Sequence, residues 1–391
     1  MAEYPYVIVG GGMAADAAIR GIRRRDASGP IAVFTREPFP PYQKPPLSKK
    51  LWLDLPTESL WLSQWQRQAG VDLRLNTPVV AIDPVAHTLT DRRGDQTRYG
   101  KLLIATGGEP RRTFGESPAI FYVGTYLDHL RLWRRLNGET RQILVVGGGF
   151  IGAEMSAVLA SRGHQVTWAF PQSGPLADRF PDPVVTHLTA VYTSHGVTLI
   201  AGQRVTDIVD TNEGVEARLE TGGIVRAELA VVGIGWTYAT DWLSQAGLQC
   251  QRGVLVDAFL RTSQPDIFAA GDIAEQNGHP LMPHEDHAVT QGYLAGQNLV
   301  GPLTAYEHQP FFYSDMFHLG YEAVGTIDSR LDTVIDWVVP GEEGVIYYLQ
   351  DRRVVGIVNW NVWDGIPAAR KILQYAGPID PGDLPGRIRN R

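Results

Sequence analysis

The sequence predicts an α/β protein in which two nucleotide-binding units, one inserted in the other, precede a C-terminal α+β domain. Three observations carry this expectation. A strand–glycine turn–helix signature occurs twice, at Tyr6–Ala15 and at Ile143–Gly152. A further apolar strand running into a glycine turn, Ile267-Phe-Ala-Ala-Gly-Asp272, comes long after both. The stretch 305–391 alternates differently, in the manner of antiparallel strands.

Each element follows from local pattern. Tyr6-Val-Ile-Val9 is short, apolar and unbroken, as a parallel strand covered on both faces must be. Gly10, Gly11 and Gly12 then turn the chain into a helical run through Arg24, and Ile31–Phe34 reads as the next strand. The second copy repeats the order, with Ile143–Val146, the turn Gly147–Gly149, a helix through Arg162 and a strand over Gln165–Phe170. Each copy opens a Rossmann-like βαβ unit. Leu102-Leu-Ile-Ala-Thr-Gly-Gly108 closes the first nucleotide-binding segment. If the strand at Ile267 returns to the first sheet, the second unit is an insertion. The expected domains are then 1–112 with 239–304, the inserted 113–238, and 305–391. A helix is expected from about Ala288 to Leu299. In the last domain Thr333–Val339, Val345–Leu349 and Val354–Trp360 read as strands, and Pro367–Tyr375 as a helix.

A chain of 391 residues exceeds one ordinary domain, and 44% hydrophobic with 20% charged residues is the balance of a globular enzyme. The 42 glycines sit in short runs between apolar stretches, which suits tight turns against a ligand. A net charge of −7 argues against a general nucleic-acid binder. Arg131, Arg134, Arg135 and Arg141 read as a solvated helix face rather than a binding patch. The single cysteine, Cys250, excludes an internal disulfide, a CxxC redox pair and a cysteine-ligated iron–sulfur cluster. No metal site, no leader segment and no membrane span are expected, and the expected location is the cytoplasm.

The glycine motifs carry the chemistry. Gly10 permits the tight turn, Gly12 lets the backbone approach a pyrophosphate, and Ala15 keeps helix and strand close. Exposed N–H groups and the helix dipole then bind phosphate. Two such sites imply two dinucleotides, and a flavin beside a nicotinamide is the sensible pair because hydride can pass between them. Pro41-Tyr-Gln-Lys-Pro-Pro-Leu-Ser-Lys49 reads as a rigid basic loop, with Lys44 available to a pyrophosphate and Lys49 to an electron-rich ring.

Four motifs in this order make the pattern specific: Tyr42-x-x-Pro-Pro-Leu-Ser-Lys49, Ile104-Ala-Thr-Gly-Gly-x-Pro-Arg111, Gly147-Gly-Gly-Phe-Ile-Gly-x-Glu154 and Ala270-Gly-Asp272. Together they resemble the glutathione-reductase-fold flavoproteins, in particular the oxygenase-coupled ferredoxin or rubredoxin reductases and the apoptosis-inducing factors. The tail segments Phe312-Tyr-Ser-Asp315, Gly320–Gly325, Val354–Asn361 and Ala369-Arg-Lys371 resemble the apoptosis-inducing factors most. The resemblance implies FAD on the first motif and NAD(P)H on the second, with NADH favoured weakly.

Carried over by position, it places Gly10, Gly12, Met13, Ala14 and Ala15 at the FAD phosphates, and Lys44 at the pyrophosphate. Glu37 falls to the ribose, Val79 to the adenine, Arg111 to the phosphate side and Asp272 to the ribityl chain, with Ala105, Thr106, Gly107 and Gly271 among the cofactor-binding residues. His284, Glu285 and Ala288 start a helix aimed at the flavin's pyrimidine edge, where its positive end would favour the anionic reduced form. Gly147, Gly149, Phe150, Ile151, Gly152, Gln172 and Gly233 form the nicotinamide nucleotide site. Lys49 and Glu154 pair beside the isoalloxazine, one from each of the two nucleotide domains, with Tyr313 as the neighbouring aromatic.

Departures from the family pattern matter too. Arg36 stands where an acid is usual, Gln172 replaces the acid that selects NADH, Pro283 replaces a glutamate, and Tyr313 replaces a tryptophan. Val339–Val345 is a short turn where the mammalian apoptosis-inducing factor has a long regulatory insertion, so death-related functions are not implied. His284 and His287 read as helix-start packing rather than metal ligands. The resemblance implies hydride transfer from NAD(P)H to flavin, then electrons to a ferredoxin or rubredoxin, to a quinone, or slowly to oxygen. The alternatives are an NADH-sensing flavoprotein with a long-lived reduced complex and a protein partner, and a reductase of a substrate-borne disulfide. A homodimer face on the last domain is a further expectation.

Overall fold

The computed structural model describes residues 1–62, 70–276, 281 and 283–388. Contacts divide the chain into two compact units, Met1–Lys44 with Pro56–Glu109 and Thr237–His308, and Pro45–Leu55 with Pro110–Trp236 and Gln309–Arg391.

The first unit is built on a seven-stranded sheet. Val71–Arg74, Ile31–Phe34, Ala2–Val9 and Gln96–Ile104 lie side by side in parallel. The start of Gln96–Ile104 also pairs antiparallel with Thr88–Asp91, and its end pairs parallel with Ile267–Ala269. The late strand thus does return to the first sheet. Val7 and Ile8 are fully buried, as expected for a strand covered on both faces. One cover is the pair of helices Met13–Arg25 and Glu285–Val300, which touch backbone to backbone. A Cβ on Gly21 would lie 2.0 Å from the Tyr293 carbonyl oxygen, and one on Gly296 2.1 Å from that of Ala18, so only glycine allows this approach. The second helix begins three residues before the expected Ala288, because Glu285 and Asp286 suit a helix's positive end.

The second unit contains a five-stranded parallel sheet in the order Thr198–Ile200, Gln165–Ala169, Gln142–Val146, Leu229–Val232, Ile120–Tyr122. Phe150–Ser161 follows the second glycine turn, and Val205–Thr211, Gly214–Leu219 and Ile224–Ala227 form an antiparallel meander. Gln309–Arg391 contributes a five-stranded antiparallel sheet in the order Phe311–Met316, Leu319–Gly325, Arg353–Trp360, Glu343–Gln350, Asp332–Val339, with the helix Ile366–Leu373 against it.

Apart from boundaries moved by two to four residues, this grouping differs from the expected division in two places. The tail belongs to the same unit as the inserted segment, and residues 45–55 leave the first unit for the second. Trp52 explains the second difference. Its ring is fully buried, 4.5 Å from His129 and 5.7 Å from Trp133, and the Arg162 guanidinium donates to its carbonyl at 2.8 Å. Arg131, Arg134 and Arg135 are exposed on the helix Tyr126–Leu136, in keeping with a solvated face, whereas Arg141 lies beyond that helix, half-buried and paired with Glu139 and Glu228. Among the described residues no helix is long and apolar enough to cross a membrane.

Candidate functional site

In the first unit the strand Ala2–Val9 delivers the chain into Gly10, whose φ of 124° is open to glycine alone. Its N–H donates to the Phe34 carbonyl at 2.8 Å, and a Cβ there would stand 2.0 Å from the Ala105 carbonyl oxygen. Gly12 caps the helix Met13–Arg25 with no side-chain acceptor, and a Cβ on it would meet nothing within 4 Å. The helix start is therefore bare backbone with free approach, bordered by the buried Met13, Ala14 and Ala15. Gly271, also at positive φ, comes against Ala14 and Ala288. Its N–H donates to Gln291 Oε1 at 2.8 Å. Gln291 Nε2 and Thr106 Oγ1 are buried and make no hydrogen bond.

Charge gathers at the same place. Burial pushes the Asp272 carboxyl up to about 6, and Lys44 opposes that shift. Lys44 Nζ also lies 3.8 Å from Glu37, whose other carboxylate oxygen accepts from the Tyr42 hydroxyl at 2.6 Å. Glu37 is thus held by protein partners, while Arg36 pairs with Glu109. Gly107 turns at positive φ after the strand ending at Ile104, and Val79 opens a strand of the same sheet, half-buried. His284 precedes the helix Glu285–Val300 without a side-chain cap, and Glu285 is in its first turn. His287 is buried, 3.3 Å from the Tyr306 hydroxyl, and burial pushes its imidazole down to about 4. That is the behaviour of a packed, neutral residue.

The second unit repeats the cradle. Gly147 has φ 116°, and a Cβ on it would lie 2.2 Å from the Gly233 carbonyl oxygen. One on Gly152 would lie 1.9 Å from the Gly147 carbonyl oxygen, and one on Gly233 3.1 Å from Ile151. These predicted residues are mutually in contact. Gly149 caps the helix Phe150–Ser161 without a side-chain acceptor, and a Cβ there would meet nothing within 4 Å. Gln172 Oε1 is buried against Gly148 and makes no hydrogen bond. Phe150 packs its ring against Phe312 at 5.6 Å and Tyr321 at 6.2 Å. Arg111, expected at the flavin nucleotide, falls in the second unit, where its N–H donates to the Gly235 carbonyl at 2.9 Å.

The expected ion pair is present. Lys49 Nζ lies 3.1 Å from Glu154 Oε1, with side chains only 9% and 3% exposed. The same ammonium sits 4.6 Å from the centre of the Tyr313 ring. One part of the expectation is corrected: Lys49 belongs to the second unit, so the pair lies within one unit instead of joining the two domains. Two further partners of Glu154 carry no signal in the sequence. Ser48 donates to Glu154 Oε2 at 2.5 Å, and Ser314 donates to Oε1 at 2.6 Å. Ser48 stands in Pro45-Pro-Leu-Ser-Lys49 and Ser314 in Phe312-Tyr-Ser-Asp315, but nothing in a lone serine's spacing marks it as a carboxylate ligand.

Two bare helix starts, each behind a glycine turn at the end of a parallel strand, define a protein that carries two dinucleotides. The chain belongs to the pyridine nucleotide-disulphide oxidoreductase family, whose profile matches residues 4–292. The profile of the apoptosis-inducing factor, mitochondrion-associated, C-terminal region matches 295–343 and 340–375. Apoptosis-inducing factor 1, mitochondrial, of Dictyostelium discoideum is 29% identical over 95% of this chain and 78% of its own length. Monodehydroascorbate reductase 3 of Arabidopsis thaliana is 29% identical over 91% of this chain and 89% of its own length. The reductase in the crystal structure of the covalent putidaredoxin reductase–putidaredoxin complex superposes with a TM-score of 0.89 at 25% identity, over 98% of this chain and 96% of that one. The protein is accordingly an FAD-dependent NAD(P)H oxidoreductase of the ferredoxin-reductase-like kind. The residues present fit both cofactors: glycine cradles that a single Cβ would fill or obstruct, with buried, unsatisfied Thr106 and Gln291 beside one and Gln172 beside the other.

Proposed function

We propose that FAD lies on the Gly10–Ala15 cradle, that NAD(P)H lies on Gly147–Gly152, and that the electrons go on to a small iron–sulfur carrier of the ferredoxin or rubredoxin type. The observation that carries the reading is the buried Lys49–Glu154 pair, seated on the helix of the second glycine motif. When bound, the flavin accepts hydride and can release electrons singly.

The protein's own residues bind and orient. Gly10, Gly12, Met13, Ala14 and Ala15 offer the first helix's N–H groups to phosphate. Lys44 supplies the counter-charge, and Ala105, Thr106, Gly107, Gly271 and Asp272 hold the rest of that nucleotide, with Val79 at its adenine end. Glu37 reaches the ribose only by sharing its carboxylate with Tyr42. The N-terminus at His284, Glu285 and Ala288 places positive potential where reduced flavin is anionic. Gly147, Gly149, Phe150, Ile151, Gly152 and Gly233 receive the nicotinamide nucleotide. Gln172 brings no carboxylate to repel a 2′-phosphate, so both NADH and NADPH serve, with a small preference for NADH. Lys49 keeps positive charge beside the reacting ring, and Glu154 holds Lys49 and accepts from the carboxamide.

A redox-protein acceptor is supported by the likeness to a reductase solved in complex with putidaredoxin. With one cysteine in the chain, no internal disulfide can relay electrons, despite the family's name. The match of the tail to the apoptosis-inducing factor C-terminal region favours a second reading, an NADH sensor with a long-lived reduced state, a protein partner and a homodimer face. Stopped-flow reduction by NADH, followed by mixing with ferredoxins, rubredoxins and quinones, decides between them. Fast reoxidation by an iron–sulfur protein supports the reductase. A stable charge-transfer band with slow reoxidation by every acceptor overturns it in favour of the sensor, and fast reoxidation by quinone alone replaces the carrier.

A further inference from the structure

We propose that Ser48 and Ser314 are positioning residues for flavin reduction, and that Glu154 uses them to clasp three distant chain segments into one geometry. The proposal rests on the placement of Lys49 and Glu154 beside the reacting rings.

The clasp is visible in the bonding of one carboxylate. Glu154 stands on the helix Phe150–Ser161. Ser48 reaches it across 106 positions of sequence, and Ser314 across 160. The two serines are 4% and 1% exposed, so neither hydroxyl has water as a substitute partner. Each neighbours a residue of the site. Ser48 ends the 3-10 turn Pro45–Ser48 immediately before Lys49, and Ser314 follows Tyr313 on the strand Phe311–Met316. Successive strand residues face opposite sides, so fixing Ser314 on the buried face sets Tyr313 on the other. That strand is an edge of its sheet, with one neighbour to hold it. Lys49 in turn lies against Tyr313. Removing either serine therefore loosens a residue one position away.

The acceptor count adds a second argument. A carboxylate has about four acceptor sites. Ser314 and Lys49 share Oε1, and Ser48 takes one site on Oε2. These are charge-assisted bonds to a group with almost no solvent. One site on Oε2 is left for an outside donor, and its direction is set by the Ser48 bond.

The test uses the flavin-loaded protein and the variants Ser48→Ala, Ser314→Ala and each combined with Glu154→Gln. Anaerobic stopped-flow reduction with a range of NADH concentrations separates the limiting rate from the apparent Kd. Each serine variant should lower the limiting rate about tenfold, equivalent to about 1.4 kcal/mol of barrier. The apparent Kd should move less than about threefold. In the Glu154→Gln background the serine substitutions should add little. A readout independent of turnover is tryptic cleavage after Lys49 and Lys50, which Ser48→Ala should accelerate severalfold. Wild-type limiting rates in both serine variants, or slowing that persists undiminished with Glu154→Gln, would overturn the proposal. So would unchanged cleavage in Ser48→Ala, whether or not NADH proves to be the reductant. If the wild-type protein is not reduced by NADH or NADPH, the functional reading fails while the cleavage result still decides the clasp. Should an alanine variant not fold, Ser48→Cys or Ser314→Cys puts a slightly larger, weakly donating thiol in the same place, and the same rate loss is expected from it.

Discussion

A lysine with 9% of its side chain exposed requires a counter-charge, and Glu154 provides it at 3.1 Å. Removing one member strands the other, so the two substitutions should have different effects that are not independent. Lys49→Ala should slow hydride transfer by one to three orders of magnitude, roughly 1.4–4 kcal/mol of barrier. Glu154→Ala should lower the limiting rate, because it releases Lys49, Ser48 and Ser314 together, and should also raise the apparent Kd for the nicotinamide nucleotide. In the double variant the losses should be less than additive. Strict additivity, or wild-type reduction in Lys49→Ala, would make the lysine a packing residue. At this scale the sequence was informative where charge or glycine carries the role. Lys49, Glu154 and Asp272 stood in recognisable motifs. Ser48 and Ser314 did not announce themselves, because a hydroxyl's partner depends on segments 106 and 160 positions away. Glu37 could be named, but its commitment to Tyr42 could not be foreseen.

Elements show a sharper contrast, between glycines that the fold needs and glycines that a ligand needs. A Cβ on Gly152 collides with the Gly147 carbonyl oxygen, so Gly152→Val should distort the turn itself. A Cβ on Gly12 or Gly149 meets nothing, at φ values of −93° and −86° that any residue adopts. Gly12→Ala and Gly149→Ala should therefore leave the thermal midpoint of the cofactor-free protein within about 2 °C of wild type. Gly12→Ala should still weaken FAD retention, and Gly149→Ala should raise the apparent Kd for NADH, each by about tenfold or 1.4 kcal/mol. Equal binding with equal stability would place the pyrophosphates elsewhere. The strand–turn–helix units were legible because both faces of those strands are apolar and the turns are punctuated by glycine. The strands at Val71–Arg74 and Val79–Asp83 were not, since half-exposed, mixed residues carry no clear period, and neither was Thr88–Asp91, which is mostly buried but built largely of polar residues.

At the scale of the whole molecule, the excursion of residues 45–55 from one unit to the other escaped the sequence, because it depends on Trp52 finding His129 and Trp133. His129 pays for that packing with its proton: buried without a partner at Nδ1, its imidazole is pushed down to about 4. His287 in the first unit is likewise pushed down to about 4 by burial. Each folded-state value lies below the unfolded one near 6.5, so the unfolded chain binds more protons between the two. Stability from each histidine is present above about pH 6.5 and is lost as pH falls toward 4. The loss is at most roughly 3 kcal/mol per histidine. Asp272 acts in the opposite sense. Its folded value near 6 lies above the unfolded 3.8, so its contribution is present at low pH and lost as pH rises through 6. The two effects partly cancel, and substitution separates them. Urea unfolding at pH 7 and pH 5 on the cofactor-free protein should show His129→Phe losing less stability on acidification than wild type, with its ring stack retained. Asp272→Asn should lose more, because it removes the compensating carboxyl. If His129→Phe and wild type fall in parallel, His129 is solvated in the folded protein, and Trp52 lacks the dry aromatic seat that holds residues 45–55 to the second unit.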